Sequence, residues 1–303
     1  MENKHIFLIF GLVFVIVFSG CIGGNGEETV PAEDDETEEE TTPIEDEEDA
    51  DELLIETGRC GYSIQDGLFF EGVAQCDTGD IAEGTNVSEY DLENADVSNV
   101  EDMTGMFADA EEFNQDISGW DMDKVDDMSR MFWDAESFNQ DIGDWDTSNV
   151  EDMRALFDGA ESFNQDIGDW DTSNVNNMYL MFKSAEEFNQ DIGDWDTSNV
   201  GKMAGMFQWA DNFDQDIGDW DTGRVDDMSR MFWGAVSFNQ DIGDWDTGNV
   251  EDMSDMFFMA ESFEQDVSDW DTSNVEECEG FATDSGIEDN EEKWPEFEHC
   301  DPY

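Results

Sequence analysis

Positive charge is what this chain of 303 residues most lacks: 10 Lys and Arg stand against 83 Asp and Glu, for a formal net charge of −73. So acidic a chain repels nucleic-acid phosphates and anionic lipid headgroups, both of which need cationic partners. Histidine is nearly absent too. With only His5, in the N-terminal apolar segment, and His299, near the C-terminal end, neither a Ser–His nor a Cys–His pair can be assembled. There is no glycine-rich phosphate loop and no zinc-protease helix motif. These absences argue against an enzyme, and no cofactor is expected. A membrane-spanning run is missing as well: the apolar stretch Ile6 to Phe18 covers about 20 Å as a helix, short of a hydrocarbon core of roughly 30 Å.

That stretch, preceded by Lys4, reads as a signal peptide over residues 1–20. Phe18-Ser19-Gly20-Cys21 resembles a lipobox with Phe18 in place of the usual Leu, so Cys21 is expected to carry a lipid anchor; plain secretion is the alternative. The expected location is the cell surface, held to the cytoplasmic membrane through the lipid alone. Residues 21–56, with the run Glu33 to Glu40, are too acidic to order themselves and read as a disordered tether. Five cysteines are an odd number in an oxidising compartment. Assigning Cys21 to the lipid leaves Cys60, Cys76, Cys278 and Cys300, with three possible pairings. Cys60 and Cys76 fall in an N-terminal cap (57–94), Cys278 and Cys300 in a C-terminal cap (278–303). The array between them is about 40 Å long at strand spacing, so bridges across it are excluded and local pairing is expected. Asn86-Val87-Ser88 is an N-glycosylation sequon.

Between the caps, residues 95–277 repeat a 25-residue unit without insertion or deletion, typified by WDTSNVEDMRALFDGAESFNQDIGD from Trp145 to Asp169. Fixed periods of this size mark stacked-repeat architectures, in which one unit cannot bury its own apolar face. Columns of Val (Val100 to Val275), Met (Met103 to Met253), Phe (Phe107 to Phe257; Phe113 to Phe263), Ile (Ile117 to Ile242) and Trp (Trp120 to Trp270) define the expected core. Val150, Met153, Leu156, Phe157 and Ala160 are spaced as one face of a helix. Ser148 and Glu151 suggest its capping box. A short strand around Ile167 and a turn at Gly168 complete the unit. The expected class is therefore α/β, a solenoid of about eight strand-plus-helix turns.

The pattern V-x-x-M-x-x-M-F-x-x-A-x-x-F-N-Q-D-I-x-x-W-D-x-S-N resembles the BspA-type leucine-rich-repeat surface proteins, including the bacterial surface-protein repeat also described as a Mycoplasma protein of unknown function. The resemblance covers about residues 95–277. It implies a leucine-rich-repeat-like solenoid on a cell surface with an adhesive or unknown role, and no catalytic site. The expected partner is a surface protein or a glycan.

Two Asp columns, Asp116 to Asp266 and Asp121 to Asp271, admit two readings. Each Asp can accept amide hydrogen bonds in its own turn, as Asp171 before Thr172-Ser173-Asn174 suggests. Alternatively, stacked carboxylates such as Asp166, Asp191 and Asp216 can ligate Ca²⁺ in a cation-loaded envelope component. The net charge is itself the composition expected of a chain folding in concentrated brine, where screening is strong; a divalent-cation-dependent surface protein is the other reading. Departures from the repeat consensus carry individuality. The position eight after the column valine, on the face away from the apolar stripe, holds Trp133, Trp233 and Phe258, with Trp209 and Tyr179 nearby. These form a contact surface, or they fold over the adjacent turn and shield it.

Overall fold

The computed structural model describes residues 53–57, 60–65, 68–72, 92–93 and 95–303. The first three segments are strands β1 (Leu53–Thr57), β2 (Cys60–Gln65) and β3 (Leu68–Gly72), paired antiparallel in the order β1-β2-β3. Thr57 is opposite Cys60 and Gln65 opposite Leu68. Both connections are two residues long, and the second is Asp66-Gly67, the dipeptide that two-residue hairpins favour. Sequence reasoning passed over this signal.

From residue 95 the chain forms stacked 25-residue coils, each a succession of tight turns. In the coil around Phe157, an amide three residues on donates to the carbonyls of Thr147, Met153, Phe157, Ala160 and Ile167. The first and last residues of each of these turns, including Leu156, Phe163 and Trp170, are buried. A β-turn brings residues i and i+3 together. A chain of such turns thus produces apolar residues three apart without a helix.

This corrects the expected strand-plus-helix unit. Among the described residues there is no α-helix, only a 3₁₀ turn at Glu291–Lys293, and no strand within the repeats. Coil meets coil through single parallel bridges running from Asp102 and Asp127 to Asp252 and Glu277. The pitch explains why. Phe132 and Phe157 have ring centroids 5.6 Å apart, and Trp145 and Trp170 are 6.4 Å apart. Adjacent helices need 8–10 Å between axes, whereas extended or turning backbone stacks at about 4.8 Å. Left-handed backbone then breaks any helix twice per coil, as at Arg130 (φ 58°) and Asp134 (φ 53°), or Ala155 (φ 53°) and Gly159 (φ 78°). Ser148 caps nothing: its amide and hydroxyl both donate to Asp146 Oδ1. At Ile167 there is a turn closed by Trp170 N–H, not a strand.

The backbone bonds around each pair of corners alternate. Amides of Met103, Gly105, Phe107 and Asp109 donate to the next coil, at Asp127, Ser129, Met131 and Trp133, while those of Met106, Ala108 and Ala110 donate within their own coil. Backbone polarity is thereby satisfied along the stack without a continuous strand. Consensus polar residues complete the joints. Asn139 Oδ1 accepts from Asn164 N–H and Gln165 Nε2, Trp170 Nε1 donates to Ile142 O, and the buried hydroxyl of Thr147 donates to Asp171 O. Asp214 replaces Asn in the first of these ladders and serves equally, because only an acceptor oxygen is used there.

At the C-terminal end, residues 278–303 take over the next coil's role. Val267 N–H donates to Lys293 O, Thr272 Oγ1 to Glu296 O and Gly280 N–H to Pro302 O. Cys278, buried in the methionine column, is bonded to Cys300. This is the local pairing expected for that end.

Candidate functional site

The outward residues of the two corners in each coil lie four, five, eight and nine positions after the column valine. They are where the repeats differ most from one another, and they hold Arg130, Trp133, Arg154, Tyr179, Leu180, Lys183, Trp209, Arg230, Trp233, Phe258 and Met259. Elsewhere the outward positions are dominated by carboxylates and amides. Apart from Tyr303, the large apolar side chains most exposed among the described residues are Tyr179, Trp209 and Met259, all on these corners.

Three of the rings form a ladder across three successive coils. Trp209 and Trp233 are 5.9 Å apart and tilted, and Trp233 meets Phe258 edge-on at 5.4 Å. Trp209 is left-handed (φ 59°), which carries its indole onto Gly234 of the next coil. A Cβ at Gly234 would lie 2.2 Å from that ring, so a glycine there makes the seat. Arg230 places its guanidinium 5.4 Å from the Trp233 ring centroid and pairs with Asp255 at 3.5 Å. Trp233 Nε1 is buried without a hydrogen-bond partner among the described residues, unlike the core column indoles. Both readings of these aromatics therefore hold in part: Trp233 and Phe258 are half-buried against neighbouring coils, and Trp209 covers Gly234 yet stays 37% exposed. Tyr179 lies on the adjoining corner, outside the ladder.

Trp133 stands apart, four coils before Trp233, under its own Arg130 at 5.8 Å. The segments Val125–Trp133 and Val225–Trp233 are identical, but the next three residues are Asp134-Ala135-Glu136 in one and Gly234-Ala235-Val236 in the other. Both acids are gone beside the ladder. Sequence reasoning passed over Met259, Val236 and Arg230; for Val236 the signal was available in this comparison of two near-identical repeats.

Asp166, Asp191 and Asp216 each accept the amide two residues on, at Gly168, Gly193 and Gly218, all at 3.1 Å. Asp171 accepts Ser173 N–H at 3.0 Å. No cluster of three or more potential metal-ligating side chains occurs among the described residues. The serine hydroxyl and then the amide hold Asp146 and Asp196 below the usual 3.8, through Ser148 and Ser198. Burial instead raises Asp158, against the opposing Lys183 contact at 3.0 Å, and raises Asp134 together with the Asp158 charge. Burial also raises Asp152 and, with Glu161 nearby, Glu186.

These two classes act oppositely on acidification. A raised carboxyl binds its proton more readily folded than unfolded, so stability grows as pH falls through its folded value; a depressed one loses stability as pH falls below 3.8 through its folded value. At fixed molar salt the melting temperature should rise as pH drops from 7, peak somewhat above 3.8, and fall below it. Circular dichroism melts across that range check this, and a steady loss from pH 7 downward would contradict it.

Cys60 opens β2; its expected partner Cys76, the expected lipidation site Cys21 and the sequon Asn86 lie outside the described residues. The same is true of the expected signal segment and of most of the expected tether. No curated protein and no solved structure matches the chain. A family model does, over residues 78–193, 138–229 and 181–294, which together cover the entire stack described above. The chain belongs to the family described as Mycoplasma protein of unknown function, DUF285.

Proposed function

We propose that this is a lipid-anchored cell-surface protein whose coils display the corner strip to a protein or glycan partner, and that its work is binding or adhesion. One observation carries the reading: exposed aromatic and apolar side chains gather on one variable strip of a chain that elsewhere turns carboxylates and amides to solvent. The apolar segment before Cys21 supports export, and the likeness of the repeat to BspA-type surface proteins supports exposure on the cell. The net charge of −73 supports a saline habitat and a partner other than nucleic acid.

The test is quantitative capture from the native cell surface at molar salt. Trp209→Ala and Phe258→Ala are expected to reduce recovery of the bound partner at least tenfold, an interface hot-spot loss of about 1.4 kcal/mol or more. Asp169→Asn with Asp194→Asn is expected to leave it unchanged. Recovery that follows the Asp variants and ignores the aromatic ones would defeat the reading. In the same cells, Cys21→Ser should release the protein into the medium.

A further inference from the structure

We infer that the ladder at the fifth to seventh coils, centred on Trp209, Trp233, Phe258 and Met259, is a docking site for a protein segment that carries an apolar anchor flanked by cationic side chains. The inference rests on the binding role proposed above and assigns the partner's chemistry.

The chain supplies its own control. The Trp133 corner repeats the Trp233 corner residue for residue through Arg130 and Trp133, yet keeps Asp134 and Glu136 beside the ring. At Trp233 those positions are Gly234 and Val236, and the neighbouring coils add Trp209, Phe258 and Met259. Gly234 is required for Trp209 to lie down, since any Cβ there would strike its ring. Met259, 38% exposed, extends the apolar surface past Phe258. Trp, Phe, Met and Arg are the types enriched where protein meets protein, and acids are depleted at such centres. The depletion is local, because this chain has 83 acids.

The surroundings fix the sign of the partner. Arg230 is offset by Asp255, so the patch offers no unbalanced cation. Along one side of the corners runs the column Glu161, Glu186, Asp211, interrupted at Val236 and resumed at Glu261; along the other run Glu251 and Asp226, the latter paired with Lys202. Burial, and after it repulsion from Glu161 and Asp211, raises Glu186. An apolar anchor seated on the rings would place its flanks between two acidic rims, where Lys or Arg is complementary and Asp or Glu is opposed. A neutral glycan could stack on Trp209 but would gain nothing from the rims.

A random peptide library displayed on phage and panned on the full chain at folding salt tests this. Selected peptides should pair an aromatic or aliphatic anchor with Lys or Arg within a few residues. Trp209→Ala and Met259→Ser should each weaken the synthesised peptides at least tenfold. Trp133→Ala should change affinity less than twofold, and Glu in place of the flanking Lys should cost at least tenfold. Unchanged core melting certifies the variants, and Met259→Ser alters a side chain that is 38% exposed. No enrichment, binders indifferent to the patch, or equal recovery of acidic peptides would overturn the inference. Patch-dependent binding of neutral oligosaccharides without peptide binding would overturn it too, while leaving the general binding role standing. Native capture indifferent to Trp209 and Phe258 would remove both.

Discussion

Replacing Phe182 by alanine is expected to destabilise the stack by about 3–5 kcal/mol, the cost of truncating a fully enclosed aromatic. Phe182 is fully buried and stacks at 5.6 Å on Phe157 and 5.7 Å on Phe207, with Phe188 at 4.0 Å in its own coil. A cavity at that point interrupts two inter-coil contacts at once. The flanking coils cannot close over it, because their separation is held by the backbone bonds of Ala155 to Tyr179 and Leu180 to Ala204. Urea titration at constant molar salt measures the loss. A change below about 1 kcal/mol would mean that backbone bonds rather than the ring ladder hold the coils together.

Salt should move stability about as much as the loss of the Phe182 ring. The outward Asp columns stack at the coil pitch, so each carboxylate meets like charges one and two coils away, and few cations offset the acidic surface: Lys183 with Asp158, Lys202 with Asp226 and Arg230 with Asp255 are ion pairs among the described residues, and none of these acids belongs to those columns. The Debye length falls from about 10 Å at 0.1 M to about 3 Å at 1 M, crossing the distance between neighbouring coils. The melting temperature is expected to climb continuously by more than about 10 °C over that range, equivalent to a few kcal/mol for a domain of this size. Calcium should act as a stronger screening ion of the same kind. Saturable stabilisation by Ca²⁺ that survives molar NaCl, and vanishes in Asp166→Asn, Asp191→Asn and Asp216→Asn together, would instead establish specific ligation.

The residue sequence alone determined the period and the membership of the core. The Val, Met, Phe, Ile and Trp columns are all buried, because a side chain recurring at one place in every coil must face its copies above and below. Asp171 before Thr172-Ser173-Asn174 was legible as a turn, since an Asp two residues before an amide carries that geometry locally. Cys278 and Cys300 were legible as a pair because chain distance ruled out the other end. The local conformation was not legible. Apolar residues at i, i+3, i+6, i+7 and i+10 fit a helix and a chain of β-turns equally, and only the pitch decides between them. At 5.6 Å between like rings a helix has no room. Nor could the sequence gather the ladder. Trp209 belongs to one corner position and Trp233 and Phe258 to another, and they meet because a left-handed residue swings the first indole across Gly234 onto the next coil. That contact between coils exists only once the coils are stacked.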